Sequence, residues 1–261
     1  MAADILEKLA AAAARRVERD RAALPEREAA ALCAALPGMG MAFEKALRAP
    51  GMSLVCELKR ASPSKGVIAE SYPYMEIARD YEEAGAACLS VLTEPEHFLG
   101  DDRHLAEIAR RAGIPVLRKD FTVSAYQIYQ ARLLGAGAVL LICALLDGAR
   151  LKEYIGLADL LGMAALVEAH DERELDMALG AGARVVGVNN RNLRTFEVDF
   201  ENSLRMRRLV PPGALFVAES GIRGREDALK LERAGADAAL VGEALMRAPD
   251  RRAALRALAG A

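Results

Sequence analysis

Five ionisable residues stand at the ends of short apolar runs in this chain. They are Glu57 and Lys59 in C-E-L-K-R-A-S-P-S-K-G, Lys119 in L-R-K-D-F, Glu168 in L-V-E-A-H and Glu219 in A-E-S-G-I. A single charge in such a place is ordinarily half of a structural ion pair. Two lysines and three glutamates together are another matter, because burying five charges costs far more than their packing returns. Ammonium and carboxylate groups of alternating sign also hold one another ionised, which is what general acid–base chemistry requires. A strand period of two places Glu57 with Lys59, and Lys119 with Phe121, on common faces. Asn189 and Arg191, two apart in G-V-N-N-R-N-L, end a further run.

A second group of residues suits an anion. Ser220-Gly221 and Gly242-Glu243 follow two adjacent apolar runs and offer small residues with free backbone N–H groups. Loops in these positions commonly hold a phosphate in barrel enzymes. Ser62 adds a hydroxyl in S-P-S-K-G. The competing reading is that these glycines, like Pro63, only make turns. No metal centre is expected, since His97, His104 and His170 form no zinc pattern with the cysteines.

These residues need elements to bring them together. From residue 85 a phrase recurs in which a helical stretch ends in Gly and an apolar run begins: 84–93, 112–121, 135–144, 161–170, 180–190 and 234–243. Glycine suits the left-handed position that ends a helix, and runs apolar throughout read as parallel strands covered on both faces. Strands at 53–59 and 214–218 bring the total to eight. Amphipathic helices are predicted at 73–84, 102–111, 124–134, 147–160, 172–179 and 225–233, with Ser124 and Asp171 as N-caps. Eight strand–helix units predict an α/β protein with a closed (β/α)8 TIM barrel over 51–261. An open doubly wound sheet is the alternative, but no G-x-G-x-x-G follows the first strand. Residues 1–50 form an N-terminal helical extension, with helices at 3–20, 26–35 and 41–48 broken at Pro25 and Pro37-Gly38. It either plugs the barrel or caps its mouth.

Bulk properties narrow the class. A chain of 261 residues, 53% hydrophobic, can bury a large core, and a formal charge of −2 gives no electrostatic case for nucleic acid or an anionic membrane. The paired arginines at 15–16, 207–208 and 251–252 read as solvated helix faces. Cys33, Cys56, Cys88 and Cys143 are scattered in apolar surroundings and read as buried thiols in a reducing compartment. The longest uncharged apolar run, 133–146, falls short of the ~20 residues of a membrane span. No basic start precedes a hydrophobic run, so a cytoplasmic protein with no secretory signal is expected.

The segments C-E-L-K-R-A-S-P-S-K-G, F-L-G (98–100), L-R-K-D-F, L-V-E-A-H, N-N-R-N-L, A-E-S-G-I and L-V-G-E-A-L-M-R, in this order from 56 to 247, resemble indole-3-glycerol phosphate synthases. The helical extension is also a feature of that family. The resemblance implies ring closure of 1-(2-carboxyphenylamino)-1-deoxyribulose 5-phosphate to indole-3-glycerol phosphate, carbon dioxide and water. It implies no cofactor, no metal, no obligate protein partner and a small phosphorylated substrate. By position, Lys119 resembles the general acid and Glu168 the base for dehydration and rearomatisation. Glu57 resembles the group that stabilises the cationic intermediate, and Lys59 the one that holds the substrate carboxylate. Asn189, Arg191, Glu219 and Ser220 match substrate-binding positions, Ser62, Gly221, Gly242 and Glu243 the phosphate site, and Pro63, Phe98, Phe121 and Leu193 an apolar slot. Glu243 departs from the pattern, standing where some relatives carry Ser. A sugar-phosphate isomerase or epimerase would share the phosphate loops, and a non-catalytic barrel would be expected to lack one of the acids or bases.

Overall fold

The computed structural model describes residues 5–192 and 195–261. Eight parallel strands close into a barrel: β1 (Ser53–Leu58), β2 (Cys88–Leu92), β3 (Val116–Lys119), β4 (Ala138–Ile142), β5 (Ala164–Ala169), β6 (Val185–Asn189), β7 (Leu215–Glu219) and β8 (Ala238–Val241). Each strand pairs with the next in sequence, and β1 pairs with β8 to complete the ring. Every predicted strand is present. Their side chains are buried on both faces because one side fills the barrel and the other meets helices.

The alternation divides the core in two. Val55, Leu117, Leu140, Leu166, Val185, Val217 and Leu240 point inward, while Leu54, Leu89, Val139, Val167, Val186, Phe216 and Ala239 join the layer beneath the helices. That outer layer is built by α4 (Tyr74–Glu83), α5 (Asp102–Ala109), α6 (Ala125–Leu133), α7 (Gly148–Leu160), α8 (Glu172–Gly180), α9 (Glu201–Arg207), α10 (Arg225–Ala234), α11 (Glu243–Met246) and α12 (Arg251–Ala259). Ser124 and Asp171 cap α6 and α8 as predicted, accepting from the Tyr126 and Glu174 amides at 3.2 and 2.8 Å. A short antiparallel hairpin, Ala61–Ser62 with Gly66–Val67, follows β1. All four cysteines are free and buried, and burial pushes the Cys88 and Cys143 thiols up to about 12.

The extension both plugs and caps, using different helices. It comprises α1 (Ile5–Ala23), α2 (Glu26–Ala34) and α3 (Ala42–Leu47). On α3, Phe43 and Leu47 are fully buried with the inward-facing side chains. The Met41 amide donates to the Gly162 carbonyl ahead of β5, and the Ser53 hydroxyl at the start of β1 donates to Ala46. This helix therefore closes the N-terminal end of the barrel. At the other end Ile5, Leu6 and Leu9 of α1 border the cavity at the strand C-termini.

Of the arginine pairs expected to be solvated, Arg15 and Arg208 are exposed, but Arg16 is not. Arg16 makes a bidentate pair with Asp120 at 2.9 and 2.7 Å, and the two side chains are only 13% and 1% exposed. Arg252 likewise reaches Asp80 at 2.7 Å. Asp120 follows Lys119 and also accepts from the Thr93 hydroxyl at 2.6 Å. Burial works against its charge, but Arg16 and Arg118 outweigh that and hold the carboxyl below its ordinary range. One ion pair thus fastens α1 to the strand that carries Lys119. Replacing Arg16 with Ala leaves a buried carboxylate short of its partner and is expected to cost about 3 kcal/mol in urea unfolding. A loss below about 1 kcal/mol would mean that Arg118 and Thr93 satisfy Asp120 by themselves.

Candidate active site

The inward rows of the barrel end in polar groups. Above the apolar layers lie Glu57 on β1, Lys119 on β3, Glu168 on β5 and Glu219 on β7, each two residues beyond an inward hydrophobe, and Asn189 on β6, two beyond Gly187 in the row of Val185. They border a cavity of about 780 Å³ at the C-terminal ends of the strands, with Leu140, Ile142 and Leu240 among its lining residues. Each site residue singled out from the sequence lines this one cavity, except Leu193, which lies outside the described residues. Among the described residues no group of three or more His, Cys, Asp or Glu side chains is placed to hold a metal ion.

The charges are arranged around Lys119. Its ammonium lies 3.2 Å from Glu168 Oε2 and 3.5 Å from Glu219 Oε2. Burial alone would lower this lysine, but the fields of Glu168, Glu219 and Glu57 reverse the effect and hold it above the ordinary range. For Glu168, burial is overcome by Lys119, by His170 and by the amide of Asn189 at 3.2 Å, so its carboxyl is lowered. Glu219 goes the other way. Burial, reinforced by Glu168 and Glu57 against Lys119, pushes it up to about 8. One ammonium between two buried carboxyls neutralises one of them, and the other keeps its proton. Lys59 pairs separately with Glu57 at 2.7 Å.

Glycine makes room for this cluster. A Cβ at Gly187 would collide with the Glu219 carboxyl, and one at Gly242 would lie 2.7 Å from Glu57 Oε1 and 3.2 Å from Lys59 Nζ. Gly242 therefore has a second reason to be glycine besides the phosphate reading. The turn after β7 is unusual too: Ser220 (φ 67°) and Gly221 (φ 82°) are both left-handed. This conformation costs Ser220 energy and is sustained by neighbours. Its hydroxyl donates to Asn189 Oδ1 at 2.9 Å and its carbonyl accepts from Asn190 at 3.0 Å.

The two sides of the cavity differ in character. Near the loops after β6, β7 and β8, Arg191, Arg223 and Arg247 join Ser220, Gly221, Gly242 and Glu243, and Lys65 and Ser62 come from the hairpin after β1. Near β2 and β3, Phe98 and Phe121 lie with ring centroids 6.0 Å apart, and Pro63 and the first turns of α1 are also part of the wall. In an eight-stranded ring β2 and β3 lie across from β6 and β7. A molecule with an aromatic ring at one end and a phosphate at the other would be held across the charge cluster.

Several contributors were invisible to the sequence reading. Glu94 is fully buried and accepts backbone N–H bonds from Glu96, His97 and Phe98 at 3.0, 2.7 and 2.9 Å. It shapes the loop that carries Phe98. A glutamate following an apolar run was the available signal. Lys65 and Arg247 lie within S-P-S-K-G and L-V-G-E-A-L-M-R, where residue type and spacing give them no distinct part. His170 was considered only as a metal ligand, yet its Nδ1 lies 3.0 Å from Glu174 and its Nε2 3.4 Å from Glu168.

His170 gives a pH-dependent test. Burial disfavours its charge, but the hydrogen bond to Glu174 and the charge of Glu168 win, so its folded pKa lies above the ordinary histidine value. Stability from the protonated ring is then fully present below the unfolded value and is lost as pH rises through the folded one. His170→Asn is expected to lower the urea midpoint most at weakly acid pH, with the deficit shrinking at weakly alkaline pH. An equal deficit on both sides would show that the ring is neutral in the fold.

Comparison with known proteins agrees with this geometry. The family model for indole-3-glycerol phosphate synthase matches residues 6–258. An indole-3-glycerol phosphate synthase of Ruminiclostridium cellulolyticum is 54% identical over 260 residues, covering 98% of this chain and 99% of that protein. Indole-3-glycerol phosphate synthase 2 of Streptomyces coelicolor is 48% identical over 256 residues, covering 98% and 99%. Among solved structures, a 3-hexulose-6-phosphate synthase superposes with a TM-score of 0.66 at 15% identity, over 80% of this chain and 99% of that one. That likeness speaks for the barrel alone. With matches spanning nearly its whole length, the chain belongs to the indole-3-glycerol phosphate synthase family.

Proposed function

We propose that the cavity binds 1-(2-carboxyphenylamino)-1-deoxyribulose 5-phosphate across the charge cluster, with its aryl ring beside Phe98 and Phe121 and its phosphate among the loops after β6, β7 and β8. The enzyme is a carboxy-lyase of tryptophan biosynthesis, yielding indole-3-glycerol phosphate, carbon dioxide and water. The observation that carries the residue assignment is the ammonium of Lys119, buried between two carboxyls and facing the cavity.

Folding the substrate brings its carboxylated ring carbon to the C2′ carbonyl, a positioning task for the two ends of the pocket. As that carbon–carbon bond forms, the carbonyl oxygen takes up the electron pair. Lys119 gives it a proton, and because an alkoxide is more basic than an amine, even an ammonium held above its ordinary range delivers that proton. The ring system is then cationic, and Glu57 stabilises it until the carboxylate held by Lys59 leaves as carbon dioxide. Loss of carbon dioxide restores the benzene ring; the C2′ hydroxyl then departs as water with a proton from Lys59, and Glu168 removes a proton from C1′ so that the indole double bond forms while the nitrogen keeps its own proton. Glu168, lowered by Lys119 and His170, is ionised at neutral pH and ready to accept it. Glu168 can pass the proton it gains back to Lys119, 3.2 Å away. Glu219, with its proton retained, donates a hydrogen bond to the substrate rather than repelling it. No cofactor takes part in this scheme. The reading also carries a cytoplasmic location and no obligate protein partner. Among the described residues no helix is long and apolar enough to cross a membrane.

Adding the substrate to purified protein is expected to produce indole fluorescence. Lys119→Met should retain binding of a product analogue, with kcat reduced by about 10²–10⁴-fold, the range general acid catalysis supplies. A variant with kcat comparable to the unmodified enzyme would remove Lys119 from this role.

A further inference from the structure

The phosphate side of the cavity contains its own anion. The Glu243 carboxylate lies 3.8 Å from Lys65 Nζ, 3.9 Å from Arg191 Nη2 and 3.3 Å from Arg247 Nε. These cations come from three separate places: the hairpin after β1, the loop after β6 and the residue after α11. Arg223 borders the same space. Three cations therefore gather around one carboxylate, while the pocket's two lysines on the strand ends, Lys59 and Lys119, are paired with Glu57, Glu168 and Glu219.

Two features distinguish Glu243 from an ordinary surface partner. Each contact is longer than the 2.7–2.9 Å of a short charge-assisted hydrogen bond, so the carboxylate is shared among the cations without being tightly held by any. It is also partly open to solvent, with about a third of its side chain exposed, so it can swing aside. A phosphate monoester brings a charge of roughly −1.5 to −2 and three acceptor oxygens near neutrality. It matches several cations better than a single carboxylate does.

We infer that Glu243 is a resident counter-anion, occupying the field of Lys65, Arg191 and Arg247 in the free enzyme and displaced from it by the substrate phosphate. Its presence offsets repulsion among the cations while the pocket is empty. It also sets a threshold for entry, since an incoming anion must compete with it, and a dianion does so better than a monoanion. The inference rests on the proposed placement of the phosphate at these loops.

The test is Glu243→Gln, which keeps shape and removes charge, with Glu243→Ser as a second variant should the first fold poorly. Substrate KM and the constant for competitive inhibition by inorganic phosphate are measured for each, with phosphate-dependent thermal protection as a direct binding readout. The expected result is a fall of roughly 3- to 10-fold in both constants, the scale of partly exposed ion pairs acting together. A merely structural role for Glu243 would not tighten phosphate binding. If phosphate binds both proteins equally, or the variant more weakly, Glu243 is no competitor and the inference is overturned. If phosphate protects and inhibits neither protein, the anion site itself is misplaced and the inference falls with it.

Discussion

A buried ammonium has to be paired, and in this barrel that requirement links strands far apart in sequence. Lys119 on β3 reaches Glu168 on β5 and Glu219 on β7, so the three groups stabilise one another only when the ring has closed. Removing water strengthens the attraction but raises the cost of any unmatched charge. The cluster answers this by keeping one pair ionised and one carboxyl protonated. The outcome is an ammonium, a carboxylate and a carboxyl raised toward its neutral form bordering one cavity.

The barrel supplies positions rather than chemistry. Its inward rows are packed with Val, Leu and Ala up to the last layer, where the polar residues begin. Their backbones are fixed by the strand ladders, which limits how far the carboxyls can move apart. Space is made by omission at Gly187 and Gly242, where any side chain would displace Glu219 or the Glu57–Lys59 pair. Asp120 is at the edge of the cavity wall, and Glu94 and His170 stand outside it. They orient α1, the Phe98 loop and Glu168 in turn.

The extension divides its work between the ends. Phe43 and Leu47 seal the bottom with apolar contacts, each buried side chain contributing about 1.5–3 kcal/mol. At the top α1 brings Ile5, Leu6 and Leu9 to the rim and is fastened by Arg16 to a residue adjoining Lys119. The two ends of the barrel are thus served by separate helices of one segment.

Periodicity made much of this legible before any coordinates. Apolar runs after glycine marked the strands and set Glu168, Asn189 and Glu219 at their ends, and the period of two put Glu57 with Lys59, and Lys119 with Phe121, on common faces, because alternation depends only on neighbouring residues. The chemistry of those side chains could likewise be read from type and place. What the chain alone did not reveal was which charge meets which. Arg16 looked solvated although it pairs with Asp120 across 104 positions, and Glu243 looked like a backbone ligand although it sits among three cations. Nor did it tell plug from cap, since helices rich in Ala, Leu and Arg suit either end. Such partnerships arise from elements that meet only after closure, where distance and burial decide an electrostatic energy that residue type cannot.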